Sequence, residues 1–282
     1  MMNDWLIQYE VTIRLGSFFG VFVLMATWEI FAPCRPLTAS KMVRWLNNLG
    51  MVLLNNLLLR WLSPIAALAL ALLAEEAHWG VLNNIDLPVW LGIIIAIILL
   101  DGLIYLQHVM FHALPLLWRL HRMHHTDVDF DVTTGSRFHP FEIMLSLLIK
   151  FAAILLLGPP VVAVLLFEVI LNVMAMFNHS NVVLPVTIDR WLRRLIVTPD
   201  MHRIHHSIVP HETNSNFGFN LSLWDRLFGT YQTEPAQGHQ EMQIGLNQFR
   251  EPKYLTLPWL LILPFIGQVN DYVINSRYKE KE

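Results

Sequence analysis

The chain has 282 residues, of which 55% are hydrophobic and only 15% are charged. Soluble domains carry about 25% charged residues, so this composition excludes an ordinary soluble protein and predicts one embedded in a membrane. A net charge of -3 provides no basic surface for nucleic acid, and the single cysteine, Cys34, excludes both an internal disulfide and a cysteine-rich metal site.

Apolar stretches close to the roughly 20 residues needed to cross a bilayer recur along the chain. The first three predicted spans cover about 12–31, 49–74 and 87–107. No basic leader or cleavage site precedes the first, so we expect it to be retained in the membrane. The second is interrupted by Arg60 and Pro64, and the third only by Asp101.

A longer apolar stretch, about 143–177, contains Gly158, Pro159 and Pro160 near its middle, which predicts two helices folded as a hairpin. The segment 255–269 is too short to cross comfortably and holds two internal prolines, which predicts an interfacial or re-entrant segment. We therefore expect an all-α membrane protein with a small transmembrane helix bundle and a cytosolic, histidine-rich helical cap. We expect a single domain over residues 1–282.

Loop charges orient this arrangement. The loop after the second span contains Glu75, Glu76 and Asp86 but no Lys or Arg, whereas the loops after the first and third spans and after the hairpin contain arginines. By the positive-inside rule the acidic loop is outside, and the histidine-rich region 108–232 is cytosolic. The terminal sequence SRYKEKE has no endoplasmic reticulum retention signal, which favours a bacterial inner membrane.

Histidines are concentrated around two H-x-x-H-H motifs, in LHRMHHT and PDMHRIHHS. Thr198 and Pro199 predict an N-cap and a first helical residue for the second motif. Because positions i, i+3 and i+4 share a helix face, we expect each motif to aim its rings in one direction. With an earlier pair at the end of the third span, the clustered residues are His108, His112, His121, His124, His125, His202, His205 and His206.

A cluster of eight histidines predicts a metal-binding site. Four nitrogens fill one tetrahedral zinc site, so eight indicate two metal ions. His139 in RFHP and His179 in FNHSN are further candidate ligands, whereas His78, His211 and His239 are expected to have other roles. The sequence H-E-x-x-H is absent, which argues against a zinc protease of that type.

Asp101 lies within the third span on the same helix face as Tyr105 and His108. Acids inside a membrane are costly and are usually buried and functional. We expect Asp101 to face the bundle interior and either to pair with Arg60 or to contact a polar part of a substrate, with Tyr105 in the same channel. Candidate hydrogen-bond partners for metal-bound rings are Asp127, Asp129, Asp131, Glu142, Asn178 and Asp200.

In order and spacing, these motifs resemble the fatty acid hydroxylase / sterol desaturase superfamily of membrane di-iron oxygenases. The resemblance covers about residues 90–232 and includes H-x-x-x-H, both H-x-x-H-H motifs, RFHP, NHSN and the stretch NSNFGFNLSLWDRLFGTY. The sequence around the motifs most resembles bacterial sterol-desaturase-like and alkylglycerol monooxygenase-like members. One position departs, because Ala175 lies four residues before His179 where the fatty acid 2-hydroxylase branch has a further histidine.

The resemblance implies two iron ions, with zinc possible as purified, held by the eight clustered histidines together with His139 and His179. It implies O2-dependent hydroxylation of a membrane lipid, such as a fatty acyl, sterol-like, ether or amino lipid. Electrons would come from a separate cytochrome b5, ferredoxin or reductase. Three alternatives stay open: desaturation by the same site, a non-catalytic membrane protein that binds or transports metal, and a zinc-dependent hydrolase.

Overall fold

The structure is a computed structural model that describes residues 2–62, 66–269 and 272–275. Helices dominate these residues, which contain isolated β-bridges but no strand. In chain order the α-helices are α1 (Met2–Phe31), α2 (Lys41–Leu62), α3 (Ala67–Glu76), α4 (Val89–Ala113), α5 (Pro115–His125), α6 (Pro140–Leu157), α7 (Val161–Asn178), α8 (Val186–Leu192), α9 (Pro199–His205), α10 (Pro210–Thr213), α11 (Leu223–Phe228), α12 (Gly238–Glu241) and α13 (Leu257–Ile262).

Five of the described stretches are long and apolar enough to cross a membrane, as in a multi-pass membrane protein: α1, α2 with α3, α4, α6 and α7. The predicted hairpin is confirmed, because Gly158 adopts φ +61° at the end of α6 and α7 begins after Pro160. The third span is longer than predicted, since α4 continues to Ala113 and carries His108 and His112 on its last turns. Pro64 and the terminal SRYKEKE lie outside the described residues.

Helix α7 is central to the bundle and packs against α1, α3 and α4. Small and aliphatic side chains such as Ala71, Ile154 and Val164 form its core. In lipid, close packing of this kind replaces the hydrophobic effect as the main attraction between helices. One acidic side chain inside the bundle is paired with two cations, since Glu168 on α7 is bridged by both Arg14 of α1 and Lys150 of α6.

A buried guanidinium attaches the loop 127–134 to the bundle. Arg44, in the first turns of α2, donates to the two oxygens of Asp127 at 2.7 and 2.9 Å and also binds Asp131. All three side chains are fully buried. Burial alone would raise the pKa of Asp127, but two buried arginines overcome this effect and hold it at about 2. The loop starts just after His125, so this ion pair fixes the end of the helix that carries the first motif.

Two further carboxylates connect the loops that follow α5 and α7 to α1 and to the segment before α2. Glu29, near the end of α1, accepts hydrogen bonds from the backbone N–H groups of Val132 and Asn181 at 2.7 and 2.8 Å. Asp129 accepts hydrogen bonds from the backbone of Thr38 and its neighbour just before α2. Buried backbone donors are costly without a partner, so these contacts fix the loops that follow the histidine-bearing helices.

The segment 255–269 folds as α13 and a short 3-10 turn that pack against α2 and α5. Its Leu260 and Leu263 are buried, and the Arg122 guanidinium donates to several of its backbone carbonyls. Phe265 is exposed. As predicted, the segment does not form a spanning helix, and its interfacial position stays a prediction.

Replacing Arg44 by Leu should lower stability, because Asp127 and Asp131 would remain buried without a counter-charge. Breaking a buried ion pair costs about 3–5 kcal/mol, which lowers the thermal midpoint by about 10 °C in a chain of this size. Arg60→Leu is the matched control, since Arg60 lies on the same helix and is exposed. Thermal unfolding in detergent, followed by intrinsic fluorescence, measures the difference, and equal midpoints for the two variants would contradict the anchoring role of Arg44.

Candidate metal centre

Nine buried histidines converge where α4, α5, α7 and α9 meet. They form two groups, within each of which the candidate ligand atoms all lie within 4.8 Å of one another. The first group comprises His108, His112, His121, His125 and His205, and the second comprises His124, His179, His202 and His206. The groups are adjacent, because the rings of His125 and His206 stack with their centroids 4.5 Å apart.

The two H-x-x-H-H motifs are divided between the groups in opposite ways. The first motif gives its i and i+4 rings to the first group and its i+3 ring to the second, and the second motif does the reverse. At 3.6 residues per turn, i and i+4 lie about 40° apart around the helix, whereas i+3 lies about 100° from i+4. The expectation that each motif aims all its rings in one direction is therefore wrong, and each motif contributes to both groups.

Six of the nine rings donate Nδ1–H to an oxygen atom. The acceptors are Phe217 O for His108 (2.8 Å), Asn214 Oδ1 for His112 (3.1 Å), Glu142 Oε1 for His121 (2.6 Å), Arg137 O for His124 (3.2 Å), Ala175 O for His179 (2.8 Å) and Ser215 O for His205 (2.8 Å). Since carbonyl and carboxylate oxygens accept, Nδ1 carries the proton and the neutral ring presents the lone pair of Nε2. Metal-binding histidines are usually oriented in this way.

The lone pairs within each group face one another. Nε2 of His108 lies 3.1 Å from Nε2 of His121, and Nε2 of His124 lies 3.2 Å from Nε2 of His179. Because the neutral rings use their protons at Nδ1, no hydrogen bond joins these atoms and their lone pairs repel. A cation bound by both removes the repulsion, and metal–nitrogen bonds of about 2.0–2.1 Å place neighbouring ligand atoms about 3 Å apart. Both groups therefore fit a metal ion.

Burial keeps the rings in the form that binds metal. Burial and then the neighbouring imidazoles hold the pKa values of four rings outside the spans well below 6.5, those of His124, His125, His202 and His206. Burial likewise lowers the pKa values of His179 and His205 to about 3. At neutral pH these nitrogens are unprotonated, as coordination requires.

Local sequence features bring the rings into place. The side chain of Thr198 caps α9 and Pro199 is its first residue, which confirms the predicted helix start. A Cβ atom on Gly135 would lie only 2.3 Å from the carbonyl oxygen of Ala175, so only glycine permits this approach. The same carbonyl accepts the Nδ1–H of His179, so the position that departs from the family pattern contributes its backbone to the site.

The segment 214–217 supports three rings of the first group. The Asn214 side chain and the carbonyls of Ser215 and Phe217 are the acceptors for these rings. Asn216 adopts φ +50°, a conformation that asparagine tolerates better than most residues. Its side chain also donates to two backbone carbonyls, so the segment is held at its turn.

Asp225 on α11 holds the end of this segment. Its carboxylate accepts the backbone N–H groups of Phe217 and Gly218 at 2.7 and 2.8 Å. Burial raises the pKa of Asp225 to about 6 despite these hydrogen bonds. Because the Phe217 carbonyl orients His108, Asp225 supports a candidate ligand through one intervening peptide unit.

Of the predicted ligands, His139 is the one that the structure keeps apart from both groups. Its Nδ1 accepts a hydrogen bond from the backbone of Phe141 at the start of α6, and its Nε2 lies 3.3 Å from the carbonyl oxygen of Leu261. His179, the other candidate ligand that the sequence suggested beside the eight clustered histidines, belongs to the second group. His211 is exposed and, as expected, joins neither group.

Of the two alternatives for Asp101, the pairing with Arg60 is wrong and the contact with a substrate stays a prediction. Asp101 is buried and accepts hydrogen bonds from the Trp224 indole at 2.8 Å and the Leu221 backbone at 3.1 Å, whereas Arg60 is exposed. An indole N–H satisfies a buried carboxylate oxygen that a distant arginine cannot reach. Tyr105 is buried on the same face of α4, and its hydroxyl lies 3.0 Å from that of Thr230.

Among the six polar residues that the sequence suggested as partners of metal-bound rings, only Glu142 contacts a ring of either group. The others bind elsewhere: Asp127 and Asp131 to Arg44, Asp129 to the backbone before α2, Asn178 to the Phe219 carbonyl, and Asp200 to Arg203. Sequence reasoning missed Asn214 and the backbone carbonyls. Backbone acceptors have no signature in a sequence, and the family-like stretch that begins at Asn214 pointed only to those at Ser215 and Phe217.

Comparisons with known proteins confirm the resemblance seen in the motifs. Residues 93–230 match the family described as Fatty acid hydroxylase. Ornithine lipid hydroxylase OlsE of Rhizobium tropici is 28% identical over 56% of this chain and 46% of its own length. Alkylglycerol monooxygenases of Xenopus tropicalis and Homo sapiens are 29% and 27% identical, over 51% and 53% of this chain and 31% and 32% of theirs. The chain thus spans less than half the length of these relatives, and no solved structure matches it.

The division of the motifs predicts which double variants lose one metal ion and which lose two. His125→Ala with His205→Ala removes two rings from the first group and should leave about half of the metal bound. His205→Ala with His206→Ala removes one ring from each group and should lose metal from both. Plasma mass spectrometry of detergent-purified protein measures the content, with the exposed His211→Ala as control. Equal losses in the two double variants, with unchanged elution on size exclusion, would contradict the division.

Glu142 should strengthen metal binding through His121. Removing such an acceptor costs about 10–100-fold in metal affinity, so Glu142→Ala should lose metal to a chelator at correspondingly lower concentrations. Glu142→Gln keeps an acceptor oxygen and should recover most of the affinity. The idea fails if both variants retain metal as the wild type does in the same chelator titration.

Proposed function

We propose that the chain is an O2-dependent di-iron oxygenase that hydroxylates a C–H bond of a membrane lipid, on the premise of the match between residues 93–230 and the fatty acid hydroxylase family. The observation that carries the proposal is the pair of buried imidazole groups with facing lone pairs. Two iron ions, when bound there, would supply O2 activation and the oxidising power for C–H hydroxylation. One oxygen atom enters the C–H bond and the other leaves as water, which consumes two electrons and two protons.

The chain's own contribution is to orient the ligands and to exclude water. The Phe217 ring lies 5.0–5.6 Å from three rings of the first group. Phe138 stacks on His124 at 4.6 Å, and Phe130 lies 5.1 Å from His206. Aromatic walls of this kind keep a reactive site dry and so limit side reactions with water.

The position of the histidines at the end of a spanning helix supports a lipid as substrate. α4 carries His108 and His112 on its last turns, and Asp101 and Tyr105 are buried on the same helix, one to three turns deeper. An acyl chain beside α4 would approach these rings without leaving the bilayer. Relatives named for an ornithine lipid and for alkylglycerols also support a membrane lipid.

The arginine-containing loops support a site on the cytosolic side of the membrane, and we propose that this membrane is a bacterial inner membrane. A cytosolic position suits the need for reducing equivalents. We expect them from a separate cytochrome b5, ferredoxin or reductase.

Isotope incorporation tests the proposal. The purified chain in bacterial-lipid liposomes, supplied with ferrous iron, a reductant and ¹⁸O2, should give a lipid product that has gained one labelled oxygen atom. The His205→Ala, His206→Ala variant should give none, because both groups lose a ring.

Other products point to the alternatives. A product that lacks two hydrogens and carries no label would identify a desaturase. Product formation without O2 would identify a hydrolase. Bound metal without O2 uptake, for any lipid and reductant tried, would favour a non-catalytic role.

A further inference from the structure

An exposed apolar surface lies outside the five candidate spans, on the short helices α8 and α11. Val186, Ile188 and Trp191 on α8 and Leu227 and Phe228 on α11 are 49–68% exposed. A concentration of exposed apolar side chains on a folded protein marks a place where something other than water makes contact. What covers it follows from its charges and from its position beside α4.

Hydrogen bonds join the two helices into one unit. The side chains of Ser222 and Arg226 both donate to the carbonyl oxygen of Arg193, at 2.8 and 2.9 Å. Arg193 directly follows α8, and Ser222 directly precedes α11. These hydrogen bonds therefore hold the end of α8 beside the start of α11.

The exposed charges on α8 and α11, and on Arg194 just after α8, are all positive. Arg190, Arg194 and Arg226 are exposed, whereas Asp189 and Asp225 on the same two helices are buried. The guanidinium of Arg194 lies 4.4 Å from the centre of the Trp191 ring. Tryptophan and arginine together at the edge of an apolar surface are typical of the interface between acyl chains and phosphate headgroups.

The depth of α11 follows from its contacts with α4. Trp224 donates to Asp101, and a Cβ atom on Gly102 would lie 3.0 Å from the Trp224 ring. Phe228 stacks on Tyr105 with ring centroids 5.3 Å apart. A hydrocarbon layer of about 30 Å takes about 20 residues of α4, so it ends near residue 108. These contacts therefore lie about 5–10 Å below its boundary.

We propose that α8 and α11 form a membrane-inserted surface, with the apolar side chains among the acyl chains of the histidine-side leaflet and the three arginines at anionic lipid headgroups. The surface continues the lipid-facing side of α4, where Leu106 is also exposed. The buried carboxylate of Asp225 on α11 holds the backbone behind His108. The bilayer thus supports the helix that supports the first group. This position of α8 and α11 in the membrane depends on no particular metal or reaction.

Collision of a spin label with two reagents tests the depth. Leu227→Cys is made in a Cys34→Ala chain, labelled with a nitroxide and placed in nanodiscs of phosphatidylcholine and phosphatidylglycerol. Leu106→Cys is the lipid-facing control, and Glu234→Cys, with a 70% exposed side chain, is the water-facing control. We expect the label at Leu227 to collide with O2 several-fold more than with a water-soluble nickel chelate, as at Leu106.

Each other result overturns the proposal. Nickel access at Leu227 equal to that at Glu234 means that the surface faces water. Access to neither reagent, with dipolar broadening between labels, means that a second copy of the chain covers it. Unchanged metal content in the labelled variant shows that either result comes from a folded protein.

The arginines are tested separately with spin-labelled lipids. The wild type should immobilise phosphatidylglycerol in preference to phosphatidylcholine. Exchanging Arg190, Arg194 and Arg226 for Gln should reduce this preference by at least about fivefold, which is the effect of losing a single arginine that contributes about 1 kcal/mol at an anionic surface. An unchanged preference would remove the headgroup contact from the proposal. Exchanging the exposed Arg60 alone serves as the control.

Discussion

Nine buried imidazoles bring their candidate ligand nitrogens together in two groups, and the rest of the histidine-bearing region is built around that constraint. Nε2 atoms about 3 Å apart repel in the absence of a shared cation, and burial lowers the pKa values of His124 and His179, so these rings do not gain protons to relieve the repulsion. A bound cation removes this cost, so metal binding is coupled to folding of the histidine-bearing region 108–206. The arrangement is costly without metal and gains stability with it, which explains why so many other contacts hold the rings in place.

Those contacts lie in two layers with different chemistry. Next to the rings are mainly backbone carbonyls and the Asn214 amide, with Glu142 as the single carboxylate. Farther out, buried carboxylates such as Asp127 and Asp131 are matched with Arg44. Neutral acceptors orient the imidazoles without adding negative charge, so the charge of a bound cation stays largely uncompensated by the protein. The arginine-carboxylate layer fixes the loops that supply those acceptors.

The membrane and the histidine groups share structural elements. α4 crosses the apolar layer and then carries two rings of the first group, so the depth of the bundle sets the position of the site. α11 contacts α4 through Trp224 and Phe228 and, through Asp225, holds the backbone that orients His108. A change in the lipid around α4 and α11 would therefore alter the orientation of candidate ligands such as His108 through very few contacts.

The sequence by itself determined the apolar helices, the hairpin at Gly158, the capped start of α9 and nearly all of the histidines that cluster. These features depend on periodicity, caps and breaks within a few residues, and local sequence encodes them directly. Only the tertiary structure decided that each motif is divided between two groups, that His139 lies apart and that Asp101 binds Trp224 instead of Arg60. Those outcomes depend on how helices cross and on which backbone carbonyl faces which ring. Such contacts join residues far apart in the chain, and backbone atoms are the same at every position, so no local pattern records them.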